Sequence, residues 1–119
     1  MIHLITPEEA EKAKISSIPD YVFQAFNELL CENFVGSAGT IIYQYDVIKR
    51  IVALYPYDND NYTQEDKDVV TNSLFTNHWL DVEKFYEKAG WDVTYNKPAY
   101  YEDFEPYYKF IPKKNENKQ

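Results

Sequence analysis

Asp81, Glu83 and Glu87 place three carboxylates in the short stretch "LDVEKFYEKAG". Two acids on one helix face are what a hydrolase needs if one is to give a proton and the other to take it. Lys84 and Lys88 interleave with them, and acids alternating with bases at this spacing make a solvated, salt-bridged helix face. No serine or cysteine stands on a glycine elbow, and the chain's 3 glycines leave no glycine-rich cradle for phosphate. His3, His78 and Cys31 are the strong metal ligands, and no two of them sit at ligand spacing. The run "DNDNY" at 58–62 alternates oxygen side chains as a calcium loop does, yet it lacks the central glycine and the closing glutamate. Asp58 and Asp60 are therefore read as turn residues. The expectation is a protein that is not an enzyme and carries no cofactor or metal.

Tyrosine is the composition's anomaly, with 12 Tyr beside 7 Phe in 119 residues. A half-buried Tyr is a rigid amphipathic contact, so an excess of Tyr suits an interface as much as a core. The densest group follows residue 90, where Tyr95, Tyr100, Tyr101, Tyr107 and Tyr108 stand among charged residues that can form a polar rim. In the loop "NKPAYYED", Pro98 stiffens the turn and Tyr100 and Tyr101 are adjacent. In extended backbone, adjacent side chains point to opposite sides, so one ring is expected on the core and the other outward beside Lys97. Lys97, Tyr100 and Tyr101, with the acids Glu83 and Glu87, are the candidate partner-binding residues.

Charge narrows the partner. The net charge is −8, with 20 acidic residues against 12 basic ones, which argues against unaided binding to a phosphate backbone. A lone cysteine forms no disulfide within the chain, so a reducing cytoplasm is expected. The first residues, "MIHLITPEEAEKAK", lack a basic region followed by an apolar run, and the chain is expected to be soluble and unexported.

The elements that would position these residues can be read from caps and periodicity. "TPEEAEKAK" carries a capping box, Thr6 with Glu9, and Pro7 at the first helical position. Pro19 opens a second helix with Val22, Phe26, Leu29 and Leu30 on one face. "TIIY" at 40–43 reads as a short strand, followed by helical spacing at Val47, Ile48, Ile51 and Leu54 that Pro56 ends. Thr63 with Asp66 caps a short helix carrying Val69 and Val70. A last helix is read from Asn77 as cap, with Trp79, Val82, Tyr86 and Ala89 on its inner side and Gly90 as its stop. "WDVTY" and "FEPYYKFI" follow as two strands, Pro106 marking an edge or a strand start, and "PKKNENKQ" reads as a polar tail.

Helices, one short strand, and a C-terminal β-hairpin after the last helix are the order of a winged-helix-like α+β domain, here one domain over 1–112 with a disordered tail over 113–119. In that architecture the last helix can enter a major groove and the hairpin loop is the wing. The face such a helix would offer here is Asp81, Glu83, Lys84, Glu87 and Lys88, a poor reader of phosphate-flanked bases.

The segments "IPDYVFQAFNELL", "YQYDVIKRI" and "WLDVEKFYEKAGWDVTYNKPAYYEDFEPYYKF" resemble a family of small tailed-phage proteins whose pattern is an IPxxVxxAFNEL helix and a C-terminal WLDVExxYxxAGWxVxYxKPxYxE block. The chain departs from that pattern in the longer, more polar segment 56–76. The resemblance implies a phage accessory protein of the infected bacterial cytoplasm, and it assigns no catalytic residue. The combined expectation is a non-enzymatic protein that binds a host or defence protein, with acidity that would suit a DNA mimic. The alternative is a winged-helix DNA-binding transcriptional regulator.

Overall fold

A computed structural model of the chain describes residues 2–58 and 61–113. Among the described residues, five helices and three strands follow in the order α1 (Pro7–Ser17), α2 (Asp20–Asn33), β1 (Thr40–Tyr43), α3 (Gln44–Leu54), α4 (Gln64–Thr76), α5 (Glu83–Lys88), β2 (Trp91–Asn96) and β3 (Tyr107–Pro112). The architecture is α+β, with one antiparallel sheet in the order β1-β3-β2. None of the helices among the described residues is long and apolar enough to cross a membrane.

The caps read from sequence are present as hydrogen bonds. The Glu9 amide donates to Thr6 Oγ1 at 3.2 Å, and the Thr6 amide to Glu9 Oε1 at 3.0 Å. Thr63 and Asp66 make the same reciprocal pair, which starts a helix of 13 residues and not a short one. Val70 lies on its buried side while Val69 faces solvent. Pro19 is the N-cap of α2 and not its first helical residue, with φ −65° and ψ 150°, so the helix begins at Asp20, one position later than expected. Its extended backbone fits a cap better than a first helical turn.

α2 is the centre of the core. Val22, Ala25, Phe26, Leu29 and Leu30 are buried on one face, at the i, i+3, i+4, i+7 spacing of an amphipathic helix. α3 presents Val47 and Ile51 to the same core, and α4 presents Val70 and Leu74. The sheet closes it with Ile42, Val93, Tyr108 and Phe110. Arg50 ties α3 to α2 outside the core. Its Nη1 lies 2.9 Å from Glu28 Oε1 and 2.7 Å from Glu32 Oε2, and its Nη2 lies 2.8 Å from Glu32 Oε1. The hydrogen bonds of Gln24 and Arg50 hold the Glu28 carboxyl below its ordinary range, and Arg50 does the same for Glu32.

β3 is the central strand, so Pro106 marks a strand start and not an edge. It stands just outside the ladder, where its missing N–H costs nothing. Its carbonyl accepts the Gln44 amide at 2.9 Å, which fastens the first residue of α3 to the foot of β3. At the other end of the sheet, the Lys113 amide donates to the Gly90 carbonyl at 3.0 Å and Lys113 Nζ to the Glu87 carbonyl at 2.8 Å. Lys113 therefore belongs to the folded part and not to the polar tail. The rest of that tail, 114–119, lies outside the described residues.

The helix expected from Asn77 is the largest correction. α4 runs to Thr76, and α5 begins only at Glu83. Between them, His78 adopts φ 56°, the left-handed conformation. The His78 amide donates to the Phe75 carbonyl at 3.3 Å and the Trp79 amide to the Leu74 carbonyl at 3.0 Å. These two bonds are the pair that closes a helix C-terminus around a left-handed residue. Asn77 thus follows the end of one helix where the sequence suggested the start of another. The stop signal was missed because histidine, and not glycine, occupies the left-handed position. Relief of that backbone strain is worth roughly 1–2 kcal/mol, and the extra freedom of an unfolded glycine costs about 0.4–1 kcal/mol. His78→Gly should therefore stabilise the fold by up to about 1.6 kcal/mol, read as an equal or higher denaturation midpoint in urea; a lower midpoint would contradict this account of the α4–α5 break.

Of the four residues read on the inner side of the last helix, three are placed there and Ala89 is exposed. Val82 and Tyr86 are buried, and Trp79 is half-buried against the core. Gly90 closes α5 with φ 108°.

Candidate functional site

Four of the twelve tyrosines, Tyr43, Tyr95, Tyr107 and Tyr108, lie on strands and divide by the pleat of the sheet. Tyr108 points inward and is 2% exposed, and its hydroxyl donates to the Leu80 carbonyl at 2.9 Å. Tyr95 lies opposite it across the β2–β3 ladder, half-buried, with its hydroxyl 3.0 Å from Gln44 Oε1. Tyr86 reaches Asn27 Oδ1 at 2.7 Å. Burial raises all three phenols above their ordinary range. These rings belong to the core and its rim.

The neighbours of these residues point the other way. Ile42 faces inward, so Tyr43 faces outward, and Tyr107 does so beside the inward Tyr108. The β1–β3 register sets Tyr43 directly opposite Tyr107, with ring centroids 6.1 Å apart at 65°. Phe104 packs against Tyr107 at 6.0 Å. Tyr45, in the first turn of α3, adds a fourth ring. Together with Asp46 and Glu105 these four rings line an open groove of about 610 Å³. Tyr43 and Tyr45 remain 45% and 60% exposed, far more than a core role would leave.

The loop from Lys97 to Pro106 forms the far wall of this end. Glu102 folds it into a turn: its amide donates to the Ala99 carbonyl at 2.8 Å, and its Oε1 accepts the Ala99 amide at 3.0 Å. Tyr100 and Tyr101 stand at its tip, 101% and 78% exposed. The expectation that one of them packs on the core is wrong. The turn replaces the extended backbone that would have sent them to opposite sides, and the two rings pack edge-on against each other at 5.6 Å. Lys97 is exposed on the same loop.

Glu83 and Glu87 do not join this surface as one patch. Glu87 lies at the Trp91 end of β2, where Lys113 reaches it, and the loop leaves the Asn96 end. At about 3.3 Å per residue, the strand separates the two by roughly 17 Å. Glu83 is half-buried beside Asp81, Gln44, Tyr95 and Tyr108. Lys88 pairs with Glu11 of α1, so part of the charged α5 face is already covered by α1.

Tyr43, Tyr45, Asp46, Phe104, Glu105 and Tyr107 were not singled out from sequence as one site. The available signal was alternation: in "TIIY" and "EPYYKF" an inward residue fixes its neighbour as outward. What brings the two tyrosines together is the pairing of strands more than sixty residues apart, which no local pattern encodes. Among the described residues, no group of three or more His, Cys, Asp or Glu converges to hold a metal ion. Asn59 and Asp60 of "DNDNY" lie outside the described residues. Comparison with models of protein families, with curated proteins and with solved structures found no match.

Proposed function

We propose that the chain is a non-enzymatic protein-binding module with a winged-helix-like arrangement, acting in the bacterial cytoplasm as a phage accessory protein that engages a host or defence protein. The supporting observation is the set of exposed rings at one end of the sheet. Tyr43, Tyr45, Tyr100, Tyr101 and Phe104 each remain at least 39% exposed, and Asp46, Glu102, Asp103 and Glu105 stand among them. Aromatic anchors surrounded by charge are the composition of a protein-binding hot spot, and rigid rings lose little entropy on docking.

The order α2, β1, α3, α4 with α5, β2, β3 and the sheet order β1-β3-β2 support the winged-helix-like assignment. In it, the 97–106 loop stands where a wing would. DNA reading is disfavoured by what occupies the recognition position. α5 has only 6 residues, Asp81 precedes it and Glu83 and Glu87 lie in it, and the loop carries Glu102, Asp103 and Glu105 against Lys97. Each carboxylate near a phosphate opposes the counterion release on which such binding depends.

Two experiments test this reading. Titration with random duplex DNA at about 50 mM salt, where phosphate contacts are strongest, should give no micromolar binding; binding that weakens steeply with added salt would favour the regulator. Affinity purification of a tagged copy from nuclease-treated infected cells should retain a protein, and recovery of nucleic acid alone from untreated cells would contradict the proposal.

A further inference from the structure

The groove beside β1 differs from the rest of the aromatic surface in its electrostatics. Tyr43, Tyr45, Phe104 and Tyr107 supply its walls, and the carboxylates of Asp46 and Glu105 line it with them. The N-terminus of α3 also lies here, since Tyr43 is its N-cap and Tyr45 and Asp46 of its first turn line the groove. A helix N-terminus carries roughly half a positive charge, which two carboxylates outweigh, so the groove is net negative and selects a cation. Tyr45 already shows its ring to one: Lys49 Nζ lies 5.1 Å from its centroid. Lys49 is exposed and one helical turn away, so this internal contact is weak and readily displaced.

We propose that this groove receives an arginine side chain of the protein partner. The inference rests on the protein-binding reading and adds the chemistry of the contact. Arginine fits better than lysine because its planar guanidinium stacks on aromatic faces while its fork of donors reaches carboxylates. The groove's four rings and two acids match both requirements. The chain's net charge of −8 would also draw a basic partner surface toward it.

The probes are three capped tripeptides, Ala-Arg-Ala, Ala-Lys-Ala and Ala-norleucine-Ala, titrated against the full chain and followed by NMR at the tyrosine ring protons. The arginine peptide should shift the signals of Tyr43, Tyr45 and Tyr107 saturably, and the norleucine peptide should not. The double variant Asp46→Asn, Glu105→Gln changes two exposed side chains without altering their shape. It should lower the melting temperature by no more than a few degrees, since Asp46 is a first-turn carboxylate at the N-terminus of α3, and weaken arginine-peptide binding by about tenfold or more, the size of one lost charge-assisted hydrogen bond. Equal binding of the norleucine peptide, tighter binding of the lysine peptide, or undiminished binding by the double variant would each overturn the assignment. With a captured partner in hand the two proposals separate. A partner released by changes at Tyr100 and Tyr101 but held fully by the double variant leaves this end of the sheet as the interface and removes the arginine groove; a partner indifferent to both sets of changes binds elsewhere on the chain and removes both assignments, and the protein-binding reading itself fails only if no protein is retained.

Discussion

Phe26→Ala should lower the stability of the fold by about 3–5 kcal/mol, the range for removing a fully buried aromatic ring. Phe26 is 0% exposed at the middle of α2. It packs edge-on against Tyr108 at 5.0 Å and lies near Tyr86 at 5.9 Å and Phe110 at 6.2 Å. Its removal opens a cavity bounded by rings from α5 and β3 that cannot collapse, because Tyr86 and Tyr108 are pinned by their hydroxyls to Asn27 and the Leu80 carbonyl. Domains of this size have only about 5–15 kcal/mol in total, so the loss takes a large share of it. A urea titration should show the midpoint falling with an unchanged slope. A loss under about 1 kcal/mol would mean that α2 does not pack as described.

Val82→Asp should leave the chain largely unfolded. Val82 is 0% exposed at the N-cap of α5. Aspartate is a favourable N-cap residue, worth about 1 kcal/mol where its side chain can reach the first-turn amides. Here the side chain points into the core beside Tyr86, and the cost of burying an unpaired carboxylate exceeds that gain several-fold. Lys84→Ala, two residues on and exposed, is the control and should move stability by no more than about 0.5 kcal/mol. Circular dichroism at 25 °C separates the two outcomes. A folded Val82→Asp protein with a melting temperature near that of Lys84→Ala would show that Val82 does not face the core.

Both of these positions were legible before the structure, because Phe26 and Val82 sit on stripes with helical spacing. Caps were legible for the same reason. Thr6 with Glu9 and Thr63 with Asp66 are short-range hydrogen-bond patterns that a sequence states outright. Two kinds of feature were not legible. The α4–α5 break depends on His78 taking a left-handed conformation, which local sequence disfavours and which two backbone bonds and the burial of Leu80 and Val82 enforce. The groove depends on β1 pairing with β3, so Tyr43 meets Tyr107 only when the sheet forms. Tyr100 and Tyr101 fall between the two. The exposure of one ring was expected, but the turn made by Glu102 removed the extended geometry that would have put the other on the core.

The most direct test of binding through this surface is calorimetric titration of the purified partner against the wild-type chain and a Tyr100→Ala, Tyr101→Ala double variant. Both rings are exposed, so the variant should melt with the wild type. The account predicts that the variant loses about 2 kcal/mol or more of binding free energy, roughly a thirtyfold rise in Kd. A double variant that folds normally and binds the partner with wild-type affinity would contradict it.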